Sequence, residues 1–164
     1  MPEVIPLQPL SPSGAVLRTD DHARDSAGFT YIYPVVSRRA GGVSIGVNLN
    51  PNNACNWACV YCQVPDLQRG GPPPINLAQL EDELRAMLTQ IVHGDFMQTR
   101  VPENARRIND VAFSGNGEPT MSRNLARHCG WWSGNWRRLV CWGRSSWWSS
   151  AMAARCTSRS AAGA

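Results

Sequence analysis

Between Asn76 and Gly94 the apolar residues Leu77, Leu80, Leu84, Met87, Leu88 and Ile91 recur at helical spacing. Short runs rich in β-branched and other apolar residues lie on either side, "GVSIGVNLN" (42–50) before and "DVAFSG" (110–115) after. Strand, helix, strand in that order predicts a β-α-β unit, the repeat of a parallel α/β fold, because parallel neighbours need a crossover of this length. No other feature of the chain narrows its folding as much. The stretch "FTYIYPVV" (29–36) reads as a further strand, joined to 42–50 through "SRRAGG", and Pro34 places it at an edge or ends it early. Asn76 is a good N-cap, with Gln79 three residues on as in a capping box. Glu81, Asp82 and Glu83 lie toward the positive end of the helix, and Gly94 is its stop. The apolar stripe is core, the strand at 110–115 is of the buried type, and His93 is a surface group near the helix C-terminus.

In parallel α/β folds, ligands gather beyond the carboxyl ends of the strands. The two unusual loops of the chain fall there. The first, "PNNACNWACVYCQVPDLQRGGPPP" (51–74), holds Cys55, Cys59 and Cys62 at C-x3-C-x2-C spacing. Such a loop can wrap three thiolates around one inorganic cluster, and a [4Fe–4S] cube held by three leaves one iron open to a ligand. A structural zinc with His128 or Cys129 as fourth ligand is the alternative, since Cys59-x2-Cys62 fits half of such a site; Cys55 then sits at the wrong spacing. The second loop, "GNGEPT" (115–120), is by composition an ordinary turn. Its position one β-α step after the cysteines favours a ligand role. Trp57 is expected to pack against its surroundings.

"CNWACVYC" resembles the signature of the radical S-adenosylmethionine superfamily, with Tyr61 as the aromatic, and "GNGEPT" is similar to that superfamily's Gly-Gly-Glu element. Together, "SIGVNLNPNNACNWACVYCQV" and "VAFSGNGEPT" look most like Fe–S oxidoreductases related to the wyosine tRNA-modification group. The resemblance covers roughly residues 28–122. It implies the N-terminal part of a partial (β/α) barrel. Cys55, Cys59 and Cys62 would bind three irons, and the fourth would chelate S-adenosylmethionine. Tyr61 would lie near the adenine, largely through its backbone. Gly115, Asn116, Gly117 and Glu118 would receive the cationic amino group of the methionine moiety. It further implies a reductant such as flavodoxin or ferredoxin, and a tRNA nucleoside as a candidate substrate.

A chain of 164 residues suffices for one domain with a modest core. No apolar run approaches the roughly 18 residues of a membrane span, and the start lacks the pattern of a signal peptide. These features predict a cytoplasmic protein without membrane association, whose clustered cysteines are ligands or redox groups rather than disulfides. All 16 basic residues are Arg. Residues 1–122 hold nine of them against twelve acids, a net −3; residues 123–164 hold seven and no acid, a net +7. The expected organisation is an irregular arm (1–27), the α/β segment (28–122) and a Trp/Arg-rich tail (123–164).

The tail's mixture of Trp and Arg can bind nucleic acid by stacking and charge, and a zinc module with such a tail is a second functional reading. A third reading is an inactive, truncated product. From Cys129 to Ala164, all but four of the 36 residues have codons with G or C in the middle position, against 11 of 22 in residues 101–122. GC-rich genes concentrate those bases at third positions, so a shift of reading frame between about Thr120 and Cys129 accounts for the change. Undoing it allows "WWSSAMA" (147–153) to read L-V-V-I-S-N-G, a buried strand ending in a turn. Sequencing the coding DNA tests this expectation. An alternative frame with an early stop, or without an apolar strand there, overturns it.

Overall fold

The computed structural model describes residues 16–18, 28–37 and 41–123. Three strands form one sheet: β1 (Ile32–Ser37), β2 (Gly42–Val47) and β3 (Ile108–Phe113). The order is β1-β2-β3, with β1 antiparallel to β2 and β3 parallel to it. The helix α1 (Leu77–His93), a short helix α2 (Phe96–Thr99) and a 3₁₀ turn at Glu103–Ala105 fill the crossover from β2 to β3. The chain is thus mixed α/β, and the β-α-β order expected from the pattern is present. Val43, Ile45 and Val47 on β2 are almost wholly buried, as a central strand requires. Pro34 lies within β1, paired with Ile45, and among the described residues β1 is an edge of the sheet, where a residue without an N–H is tolerated.

The close approach of β1 to β2 uses a particular pair. Tyr33 stands opposite Gly46, and a Cβ on Gly46 would fall within 2.2 Å of the Tyr33 ring. The ring therefore lies across the glycine, and its hydroxyl reaches Ser114 Oγ at 2.7 Å, just beyond β3. One side chain spans all three strands.

Asn76 caps α1 as expected, its side chain accepting from Gln79 N–H at 3.3 Å. The reciprocal half of the capping box is absent. Gln79 Nε2 instead donates to Thr30 Oγ1 (3.0 Å) and Glu83 Oε1 (2.9 Å), while Asn76 N–H goes to the Tyr31 hydroxyl at 3.2 Å. Gly94 ends the helix, its N–H reaching back to Gln90 O and Thr89 O. Leu80, Leu84, Met87 and Ile91 are buried, and Leu77 and Leu88 sit at the margin of that stripe. The three acids depart from their expected role, because all lie beyond the first turn. Glu81 pairs with Arg85 one turn on, at 2.8 Å. Glu83 is buried and accepts from the backbone N–H groups of Thr30, Tyr31 and Ile32 at 3.0, 2.7 and 3.3 Å.

β3 is less buried than its sequence suggests. Only Val111 is buried; Ala112 is exposed and Phe113 intermediate. Among the described residues β3 is an edge, so one face and one side lack the cover that a central strand has. Of the arm, residues 16–18 carry no regular structure, and Leu17 N–H donates to Arg100 O at 2.8 Å. The chain divides into two units, Met1–Ser122 and Arg123–Ala164. The expectations for the tail, including His128 and Cys129 as zinc ligands, fall outside the described residues. Among the described residues no helix is long and apolar enough to cross a membrane.

Candidate functional site

β2 ends at Val47, and the chain leaves it through Asn48, Leu49 and Asn50 into the cysteine loop. The base of that loop is clamped. Ala54 bridges Gln68, Cys55 N–H donates to Gln68 O (2.9 Å) and Gln68 N–H to Asn53 O (3.0 Å). Arg69 Nη1 adds a bond to Asn56 O at 2.7 Å. Beyond the clamp the loop projects outward. Cys55 is buried, Cys59 half-buried and Cys62 exposed, with Cys62 N–H turned back onto Cys59 O at 3.1 Å. Val60 and Tyr61 are exposed at 101% and 80% of their surface, and Trp57 at 56%, so the expected packing of Trp57 is corrected. These side chains have little to pack on, because the loop's contacts are confined to its base.

The second loop leaves β3 at Ser114, whose N–H still donates to Val47 O (3.1 Å). Gly115 has φ +146, a region that disfavours side chains. It lies so close to the cysteine side that an added Cβ would sit 2.4 Å from Asn48 Oδ1. On Gly117 a Cβ would sit 2.6 Å from Asn50 Nδ2. Between the two glycines, Asn116 Nδ2 donates to Asn53 Oδ1 at 2.6 Å. Glu118 caps the following 3₁₀ turn (Pro119–Met121), its Oε1 accepting from Thr120 N–H at 3.1 Å. That turn carries Met121, whose Sδ lies 3.7 Å from Cys55 Sγ and accepts from Asn56 N–H at 3.3 Å. The cysteine loop and the glycine loop are therefore in direct contact at the carboxyl end of the parallel pair.

The two loops touch at the end of the sheet where the sequence places both. The three thiols are not gathered: among the described residues no three His, Cys, Asp or Glu side chains are close enough to hold a metal ion. All three thiols lie on one loop that is closed at its base. The segment 56–62 is exposed throughout apart from Cys59. Asn50 Oδ1 is buried with no hydrogen-bond partner, an acceptor on the carboxamide that faces Gly117. Sequence reading did not single out Met121, Asn48, Asn50 or Asn53. "NLNPNN" carries four Asn in six positions, but in a Pro- and Asn-rich stretch that composition also means an ordinary loop.

The chain matches two curated proteins over 94 residues, 57% of its length. It is 26% identical there to the GTPase Obg of Brachyspira hyodysenteriae and 32% identical to a UPF0026 protein of Methanocaldococcus jannaschii. The match spans 12% of the first protein and 26% of the second, so the chain corresponds to only a part of either. No family model matches the chain, and no solved structure does.

Proposed function

We propose that the chain carries the cluster-binding part of a radical S-adenosylmethionine enzyme, with Cys55, Cys59 and Cys62 as ligands of a [4Fe–4S] cluster. The observation that carries this reading is the junction of the two loops, Asn116 on Asn53 and Met121 on Cys55, beyond the ends of β2 and β3. When bound, the cluster would pass one electron from an external reductant to the sulfonium of S-adenosylmethionine, breaking a C–S bond to give methionine and a 5′-deoxyadenosyl radical. The chain's own groups bind and orient. Gly115, Asn116, Gly117 and Glu118 would receive the cationic amino group of the methionine moiety, the carboxylate accepting from the ammonium. Tyr61 would lie near the adenine, largely through its backbone. Residues 28–122 are the N-terminal part of a (β/α) barrel in this reading, working in the cytoplasm with flavodoxin or ferredoxin as electron donor and a tRNA nucleoside as candidate substrate.

The activity named for the Brachyspira relative is not carried over. A P-loop needs a lysine at the nucleotide phosphates, and these 164 residues contain none.

Anaerobic reconstitution with iron and sulfide tests the proposal. The expected product is a brown protein with about four irons and as much acid-labile sulfide per chain, and cleavage of S-adenosylmethionine on reduction separates a working enzyme from a remnant. Stoichiometric zinc without sulfide overturns it in favour of a zinc module. A loaded cluster with no cleavage leaves an inactive remnant.

A further inference from the structure

We infer that Asn48 and Asn50 are positioning residues, two buried carboxamides that fix the glycine loop against the cysteine loop. Asn48 is 7% exposed and Asn50 1%, unusual burial for a polar stretch just past a strand. Asn48 Oδ1 accepts twice, from Asn50 N–H within its own segment at 3.0 Å and from Asn116 N–H of the glycine loop at 3.2 Å. Asn50 Nδ2 donates to Ala54 O at 2.9 Å and so holds the residue immediately before Cys55. One carboxamide thus fixes the start of the glycine loop and its neighbour fixes the start of the cysteine loop. The bond from Asn50 N–H to Asn48 Oδ1 ties the two together.

The glycines complete the fit from the other side. Gly115 rests on the Asn48 carboxamide and Gly117 on that of Asn50, at distances that leave no room for a Cβ. An apolar side chain of similar size at 48 would remove the Oδ1 acceptor from the half-buried Asn116 N–H and the buried Asn50 N–H. The glycine loop would then move to find water. A carboxylate there keeps both bonds. The consequence for ligand binding rests on the radical S-adenosylmethionine reading; the consequence for loop geometry does not.

The test compares wild type, Asn48→Asp and Asn48→Leu, each after anaerobic reconstitution. Backbone amide exchange is read first. In Asn48→Leu, exchange at Asn116 and Asn50 is expected to rise about five- to tenfold, while the amides of α1 keep wild-type protection. In Asn48→Asp, both stay near wild type. Affinity for S-adenosylmethionine is read second. The Leu variant is expected to bind about tenfold more weakly and the Asp variant within about threefold, with iron content equal in all three. Unchanged exchange at Asn116 in Asn48→Leu overturns the inference, as does wild-type affinity in that variant. If Asn48→Leu unfolds, Gly117→Ala lifts the loop from Asn50 and is held to the same two readouts. If wild type binds no S-adenosylmethionine, the functional reading fails, and the exchange result still decides the role of the asparagines.

Discussion

Each of the single variants Cys55→Ala, Cys59→Ala and Cys62→Ala is expected to retain almost no iron after anaerobic reconstitution, against about four irons for the parent chain. The size of the effect follows from the loop. Its segment 56–62 makes few contacts with the rest of the protein, so the energy that orders it around a cluster must come from the metal–thiolate bonds themselves. Removing one of three thiolates leaves two irons without protein ligands. Loss of fold does not explain the result at two of the positions. Cys62 is exposed and Cys59 half-buried, and truncation at such sites shifts stability by about 0.5 kcal/mol or less. Cys55 is buried against Met121, so its variant is read beside the other two rather than alone. Cys129→Ala, Cys141→Ala and Cys156→Ala are expected to keep the full complement. Iron analysis on all six decides the matter: retention in any of the first three, or loss in any of the last three, overturns the ligand assignment.

What the sequence made legible was local or periodic. The helical stripe and the N-cap at Asn76 depend on neighbours within one turn, and the structure follows them closely. The β-α-β order depends on the sequence of patterns, and it too is present. The failures share a cause. The side chain of Gln79 suits a capping box, but its amide finds Thr30 across 49 positions of chain. Glu83 looks like one acid among three, yet its helix face turns it inward. Burial of β3 was inferred from its apolar residues alone, whereas burial depends on what lies over them. At the site, the spacing of the cysteines was visible and the supports were not. Asn48, Asn50 and Met121 matter through contacts with residues more than sixty positions away, and no local pattern encodes such a contact.

Glu83→Ala is expected to be the most destabilising single change in the described fold. Its carboxylate accepts from three successive backbone N–H groups at the start of β1 and from Gln79. Tyr31 and Ile32 are buried, so alanine leaves two buried donors unpaired at about 1–3 kcal/mol each. A total of about 3 kcal/mol is a large share of the roughly 5–15 kcal/mol that holds a domain together. The urea midpoint should fall by about 1.5 M if m is about 2 kcal/mol/M. Glutamine keeps one acceptor oxygen, so Glu83→Gln should lose about half as much. Glu81 is the control. Its pair with Arg85 lies on the surface, and Glu81→Ala should cost about 0.5 kcal/mol or less. The effect of Glu83 should also reach the site. Tyr31 O accepts from Asn48 N–H at 2.7 Å, which links the strand that Glu83 anchors to the residue under the glycine loop. Below the midpoint, amide exchange at Asn116 should therefore also be faster in Glu83→Ala than in Glu81→Ala. Equal midpoints for the two variants would show that the three N–H groups find water instead, and that β1 is not anchored by this carboxylate.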